Sequence, residues 1–156
     1  MRGRYLYRMG TRIFLGSDHA GFEMKDRIKH HLEGRGFQVQ DLGTNGPDSV
    51  DYPDFAHAVA DSVANEEGAL GILMCGSGNG VNITANKHAG IRAALAWQPE
   101  IAALAREHNN ANLLSLPARY VTPDAAFAIV DAFLDGAFEG GRHQRRVEKI
   151  ESLLKS

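Results

Sequence analysis

The feature that most constrains the fold is a continuous apolar run at residues 69–75 (ALGILMC), which ends directly in a glycine-rich segment at residues 76–80 (GSGNG). A strand that is apolar at every position is buried on both faces, which is typical of the centre of a parallel sheet. Parallel strands need long crossover connections, usually helices. The run therefore favours an α/β fold in which helices cover both faces of the sheet.

The rest of the chain alternates between strand and helix patterns in the way that such a fold requires. Further strands are predicted at residues 12–17, 37–42, 91–96 and 112–116. Helices are predicted at residues 22–35, 53–65, 81–87, 99–108, 123–134 and 142–154. Gly36 is expected at the end of the first helix and Thr122 at the start of the fifth. The predicted architecture is a Rossmann-like three-layer α/β/α sandwich with a five-stranded parallel sheet, formed by a single domain over residues 11–156.

Composition narrows the class of partner. The 156 residues have a net charge of −2, which provides no basic field for nucleic acid. No apolar run approaches the roughly 20 residues that span a bilayer, so no membrane partner is expected. The single cysteine cannot form an internal disulfide, and the cytoplasm is the expected location. Residues 1–10 carry three arginines but no apolar signal segment, and we expect them to be a disordered extension.

Cys75 is the first candidate for chemistry, because ligands in such folds bind at the carboxyl ends of the strands. The glycines after it allow backbone N–H groups to point inward, and the following helix adds positive potential at its start. Both effects favour the thiolate form that a base requires. The alternative is an inert buried cysteine. The loop matches neither the dinucleotide-binding spacing nor the Walker loop.

Two further pairs have both a functional and a structural interpretation. Asp18 and His19 follow the first strand, where they can bind a sugar hydroxyl and a phosphate, but Asp18 fits an N-cap equally well. His108 and Asn109 end the fourth helix, where the helix dipole favours a protonated imidazole that suits a general acid. From spacing alone, a C-cap pair is the preferred interpretation of His108 and Asn109.

Arg142 and Arg146 are four residues apart and share a face of the last helix, which suits either a phosphate clamp or a solvated surface. Neither a histidine or cysteine pair at ligand spacing nor a carboxylate cluster is present in the sequence, so no metal is predicted.

Seven segments taken together resemble one family, ribose-5-phosphate isomerase type B, which is grouped with the galactose-6-phosphate isomerase subunits. They extend over about residues 12–150 and are 16–22 (GSDHAGF), 51–53 (DYP), 75–80 (CGSGNG), 85–87 (ANK), 90–93 (GIRA), 107–112 (EHNNAN) and 139–147 (EGGRHQRRV). One branch of the family has glycine and glutamate at the positions of Cys75 and Val81, so this chain resembles the cysteine branch.

The resemblance implies an aldose–ketose isomerase that interconverts ribose 5-phosphate and ribulose 5-phosphate through an enediolate. Cys75 would be the base, Ser77 would assist it and His108 would open the furanose ring. The implied substrate-binding residues are Asp18, His19, Gly76, Ser77, Gly78, Asn79, Gly80, Asn109, Arg119, Arg142 and Arg146. Among these, His19 and the three arginines would hold the phosphate.

The resemblance also implies a homodimer or homotetramer with active sites shared between subunits, in which the helix from about residue 142 reaches a neighbour. No cofactor is required. Two alternatives stay open: an isomerase of a six-carbon sugar phosphate such as allose 6-phosphate or galactose 6-phosphate, and a non-catalytic phosphate- or nucleotide-binding module.

Overall fold

Within residues 10–152, a parallel sheet of five strands, in the order β2-β1-β3-β5-β4, forms the centre of the fold. The computed structural model describes residues 10–152, so the predicted extension, apart from Gly10, and the end of the last predicted helix lie outside the described residues. The strands are β1 (Arg12–Ser17), β2 (Gln38–Asp41), β3 (Leu70–Cys75), β4 (Ala93–Leu95) and β5 (Leu113–Pro117). Both ends of each strand lie within two residues of the predicted positions.

Helices alternate with the strands as predicted. In the described part of the chain they are α1 (Phe22–Gly34), α2 (Tyr52–Asn65), α3 (Asn79–Ala85), α4 (Pro99–Asn109), α5 (Pro123–Asp135) and α6 (Arg142–Glu151). Gly36 adopts a φ of 88°, the left-handed conformation expected after a helix end. Thr122 Oγ1 accepts a hydrogen bond from Ala125 N at 3.2 Å, which confirms the predicted N-cap. The prediction for α3 was two residues late, since this helix begins at Asn79 rather than at 81.

The faces of the sheet carry different helices, as right-handed crossovers require. One hydrophobic core includes Ile28 of α1, Ala102 of α4 and Phe133 of α5. The other includes Val59 of α2 and Val81 of α3. The helices that follow β1 and β3, two neighbouring strands, therefore lie on opposite faces. A crevice forms between the carboxyl ends of such strands, where α/β proteins bind their ligands.

Within residues 10–152, no helix is sufficiently long and apolar to span a bilayer.

Candidate active site

Cys75 lies at the carboxyl end of β3, the central strand, between β1 and β5. Its side chain is almost fully buried. The Cys75 carbonyl accepts a hydrogen bond from Ala118 N at 2.9 Å, and the Gly76 carbonyl accepts one from Arg119 N at 3.1 Å. These bonds fix the start of the glycine loop to the segment after β5, and they bring Arg119 beside the loop.

The loop after Cys75 makes a tight turn that needs glycine at position 78. Gly78 has a φ of +76°, and a Cβ there would lie 2.6 Å from Leu95 Cδ1 and 3.0 Å from the Leu116 carbonyl carbon. Ser77 Oγ accepts a hydrogen bond from Asn79 N at 3.3 Å, at the point where α3 begins. The predicted backbone donors of residues 76–80 therefore lie in one compact turn directly beyond the thiol.

Asp18 and His19 follow β1 at the same edge of the sheet. Asp18 is buried, and its Oδ1 accepts hydrogen bonds from Ala20 N at 3.0 Å and Gly21 N at 3.2 Å. Gly21 is the N-cap of α1, so the N-cap interpretation of Asp18 is wrong; its carboxylate instead stabilises the turn before the helix. His19 Nδ1 accepts from Val50 N at 3.2 Å, which leaves Nε2 as the donor of a neutral ring.

We call these residues the carboxyl-edge group. Its members are Asp18, His19, Cys75, residues 76–80 and Arg119. They comprise a buried thiol, backbone amides, a carboxylate and a guanidinium around one crevice, which suits proton transfer next to an anionic ligand.

His108 and Asn109 lie at the opposite edge of the sheet. Helix α4 starts after β4 at the carboxyl edge and runs back over eleven residues, about 16 Å, to the amino edge. Arg92, which precedes β4, donates from Nε to the Asn109 carbonyl at 3.0 Å and from Nη2 to the Asn110 carbonyl at 2.9 Å. The end of α4 is therefore anchored where the strands begin, and His108 and Cys75 lie on different sides of the protomer.

A second cluster surrounds His108. The imidazole rings of His108 and His143 are stacked, with centroids 4.2 Å apart and planes inclined by 12°. Each Nε2 atom lies 3.7 Å from Glu139 Oε2. Arg142 and Arg146 are exposed on the same helix as His143. We call these residues the amino-edge group: His108, Asn109, Glu139, Arg142, His143 and Arg146.

Electrostatics distinguish the two histidines of this group. The pKa of His143 is lowered from its ordinary value of 6.5, first by burial of the ring and then by the charges of His108 and Arg142. Glu139 acts in the opposite direction without reversing the shift. The neutral form is therefore favoured at His143.

His108, Glu139 and His143 also place three possible metal-ligand atoms within 4.8 Å of one another. A metal bound by two imidazoles lies close to the plane of each ring. The nearly parallel rings of His108 and His143 are stacked face to face, so shared coordination would require one of them to turn out of the stack. The arrangement fits a hydrogen-bonding group, and the absence of a metal cofactor stays a prediction.

Sequence reasoning missed several polar contacts that depend on the fold. Lys25 is almost completely buried and its Nζ lies 2.5 Å from Asp41 Oδ2, while Asp41 Oδ1 accepts from Gly43 N at 2.9 Å. His57 and His88, which have no partner at ligand spacing in the sequence, lie 2.7 Å apart between Nδ1 and Nε2.

Glu139 and His143 lie within a segment that supported the resemblance but were not selected as site residues. Their i, i+4 spacing is the only sequence signal that would have connected them.

Comparison with known proteins identifies the family. A family model described as Ribose/Galactose Isomerase matches residues 13–150. The chain is 52% identical over 144 residues to a probable ribose-5-phosphate isomerase B of Mycoplasma genitalium, covering 91% of this chain and 95% of the relative. The chain belongs to the ribose/galactose isomerase family. This isomerase is also 47% identical over 142 residues to ribose-5-phosphate isomerase B of Escherichia coli, covering 91% of this chain and 95% of that protein.

Solved structures of similar proteins match the isomerase over nearly its whole length. A ribose 5-phosphate isomerase of Thermotoga maritima has a TM-score of 0.89 and 51% identity, covering 91% of this chain and 98% of that one. Ribose-5-phosphate isomerase B of Mycoplasma genitalium with bound ribulose-5-phosphate has a TM-score of 0.91 and 51% identity, covering 94% of this chain and 97% of that one. The predicted family and fold class are thereby confirmed.

Proposed function

We propose that this isomerase interconverts ribose 5-phosphate and ribulose 5-phosphate, with Cys75 as the base. The observation that carries the proposal is the position of Cys75 at the end of the central strand, beside the glycine loop and Arg119. The names of the similar proteins and the bound ribulose-5-phosphate of the Mycoplasma genitalium structure support the choice of a five-carbon substrate.

In the proposed reaction the Cys75 thiolate removes the proton from C2 of the open-chain aldose. The electron pair forms the C1–C2 double bond of an enediolate, and negative charge develops on O1. O2 then loses its proton and its electrons form the C2=O double bond. The electron pair of the C1–C2 double bond takes the proton back from Cys75 at C1, and O1 takes up the proton that O2 lost. General-base catalysis contributes about 10²–10⁴-fold, and losing one backbone donor to the oxyanion costs roughly 10²–10³-fold.

The other carboxyl-edge residues have binding roles in this proposal. Asp18 contacts sugar hydroxyls through the carboxylate oxygen that its turn does not use. His19 donates from Nε2 to the phosphate, and Arg119 supplies a positive charge next to the loop. Ser77 assists Cys75, while the backbone of Gly76, Gly78, Asn79 and Gly80 faces the developing oxyanion.

We further propose that each active site combines the carboxyl-edge group of one subunit with the amino-edge group of another. Reacting groups must approach to about 3–3.5 Å, whereas Cys75 and His108 lie at opposite edges of one sheet. His108 would then open the ring, Asn109 would contact the intermediate, and Arg142 and Arg146 would complete the phosphate site, all from the second subunit.

Exposed apolar side chains support this assembly. Trp97 and Tyr120, in the turns after β4 and β5, are 53% and 76% exposed, and Ile150 on α6 is 53% exposed. Large exposed apolar groups near a site are typical of an interface. If α6 of one subunit covers the carboxyl edge of another, these groups become buried and the arginines approach Cys75. A homodimer is the smallest assembly that meets this condition.

The remaining expectations form part of the same proposal. Residues 11–156 would act as one domain, and deleting residues 1–10 would leave kcat/KM unchanged. A phosphorylated sugar is charged and does not cross an apolar bilayer unaided, which fits an enzyme of the cytoplasm.

Cys75→Ala tests the assignment of the base. The variant should lose isomerisation by about 10²–10⁴-fold and stop exchanging the C1 protons of ribulose 5-phosphate with D2O. A phosphate-bearing inhibitor should still bind, which serves as the control for a folded site. Near wild-type turnover by this variant would contradict the assignment of Cys75 as the base.

The family description also names galactose, so the carbon count of the substrate needs its own test. Values of kcat/KM for ribose 5-phosphate, allose 6-phosphate and galactose 6-phosphate should be compared on one preparation. The five-carbon substrate should be preferred; a higher value for a six-carbon phosphate would change the substrate and retain the reaction.

A further inference from the structure

His143 contacts His108, the residue proposed to open the sugar ring. Its ring is stacked on His108 at 4.2 Å, and it is largely buried, although it lies on α6 between exposed residues. The same Glu139 oxygen lies 3.7 Å from Nε2 of both rings. The main chain of Glu139 is held in place because its N donates to the Glu107 carbonyl at 3.0 Å. One carboxylate therefore lies beside both imidazoles.

The charges around this pair favour a single added proton. Two stacked imidazolium ions would repel each other at this distance. Arg142 and Arg146 on α6 oppose protonation of His143, while Glu139, in the preceding loop, favours it. On the other side, His108 lies in the last turn of α4, where the negative end of the helix dipole attracts a positive charge. The proton is thus directed to His108.

We propose that His143 is a positioning residue for ring opening, which holds His108 by stacking and, with Glu139, keeps one proton on the pair at His108. The inference deepens the proposed function and rests on it. His143 contacts no reacting atom in this account; it acts through His108.

The proton balance of ring opening explains why one proton is needed. The C1–O4 bond of the furanose breaks and its electron pair goes to O4, which takes a proton from His108. The C1 hydroxyl loses its proton back to the imidazole, and its electrons form the C1=O double bond. The sugar gains and loses one proton, and His108 ends in its starting state. A neutral pair would lack the acid.

Only the aldose requires ring opening, so the role of His143 can be measured separately from that of Cys75. Ribulose 5-phosphate has its carbonyl at C2 and its O5 blocked by phosphate, so it cannot close a five-membered ring. Exchange of its C1 protons with D2O therefore requires the base but no ring opening. A defect confined to ring opening spares this exchange.

The test uses His143→Phe, His143→Gln and Glu139→Gln in the full-length protein, with His30→Gln as a matched control at an exposed histidine on α1. All variants are first checked for wild-type oligomer size and melting temperature. We then measure kcat/KM for ribose 5-phosphate against pH, and C1 proton exchange of ribulose 5-phosphate in D2O.

With His143→Gln, which abolishes the stack, kcat/KM for ribose 5-phosphate should fall about tenfold or more, while exchange stays within about twofold of wild type. His143→Phe retains a stacked ring and should recover part of the loss. It should also move the alkaline limb of the pH profile upward, because Glu139 then acts on His108 alone. Glu139→Gln should move the same limb downward. If His143 and Glu139 only supported the fold, the two substitutions would not shift the alkaline limb in opposite directions.

Unchanged ribose 5-phosphate kinetics and pH profiles in the two His143 variants would overturn the inference. So would an equal loss of turnover and exchange in variants of normal size and stability, because His143 would then serve the base step. If the wild-type enzyme neither isomerises ribose 5-phosphate nor exchanges ribulose 5-phosphate, the proposed function itself fails, and this inference fails with it.

Discussion

The guanidinium of Arg119 lies against the backbone of Gly76: a Cβ at position 76 would be 3.2 Å from Arg119 Nη1. The missing side chain of Gly76 thus makes room for the cation next to the residue that follows Cys75. This contact connects the segment after β5 to the glycine loop.

Arg119→Ala should raise KM for ribose 5-phosphate about tenfold or more, since a charge-assisted hydrogen bond contributes about 1.5–3 kcal/mol. The value of kcat should change less, because the phosphate is remote from the reacting carbons. Gly76→Ala should have a similar effect by displacing the guanidinium. Steady-state kinetics measure both, with Arg27→Ala on the exposed face of α1 as the control. An unchanged KM in both site variants would remove Arg119 from the phosphate site.

Gly78→Ala should impair both folding and catalysis. The left-handed φ of +76° costs a residue with a side chain roughly 1–2 kcal/mol, and the added Cβ would overlap Leu95 and the Leu116 backbone. Misplaced loop amides should lower kcat by about 10²–10³-fold. Urea unfolding and kinetics test this against Gly46→Ala, where a Cβ would meet nothing within 4 Å. Equal behaviour of the two variants would contradict the account of the loop.

Lys25→Met should destabilise the protein by about 3–5 kcal/mol, because it leaves Asp41 without its buried cation. The Lys25–Asp41 pair also supports the carboxyl edge of the sheet. Asp41 accepts a hydrogen bond from Gly43 N, and the Gly43 carbonyl accepts one from Ser17 N at 2.8 Å. Urea denaturation is the measurement, and Lys29→Met on the same helix is the control. Lys25→Met combined with Asp41→Asn should regain part of the loss. A double variant less stable than the single one would show that charge burial is not the cause.

The lowered pKa of His143 predicts acid sensitivity. Below its ordinary value of 6.5, the unfolded chain binds a proton at His143 that the folded chain does not bind. Stability therefore falls as pH drops from 6.5 towards the lower pKa of the folded state. Urea midpoints at about pH 5.5 and pH 7.5 should differ less in His143→Phe than in the wild type. An undiminished difference would assign the acid sensitivity to other groups.

The strands and helices were predictable because apolar runs and glycine or proline boundaries act locally. The apolar run at residues 69–75 predicts a buried strand, and the corresponding strand β3 lies at the centre of the sheet. The start of α3 was misplaced because Gly78 turns the chain in a single left-handed step and allows the helix to begin at Asn79. A glycine in a loop can therefore shorten the loop, because it lets the next helix begin sooner.

The site was predictable only where position along a strand decides location. Cys75 and Asp18 lie at the carboxyl edge because each follows a strand of the parallel sheet. The stacking of His108 on His143, 35 positions apart, and the contact between Lys25 and Asp41 depend on how helices pack. The separation of His108 from Cys75 follows from the direction of α4, so the sequence alone could only imply a shared site through resemblance.

In the proposed assembly, Cys75 and His108 of different subunits form one active site, and a mixture of two inactive variants provides the decisive test. Cys75→Ala and His108→Ala are unfolded together, refolded as a mixture, and assayed with ribose 5-phosphate. Half of the dimers are hybrids, and each hybrid has one intact site and one doubly altered site. Activity should therefore rise from near zero to about a quarter of the wild-type value. A mixture that stays at the sum of its parents, although hybrids are present, would contradict the shared site.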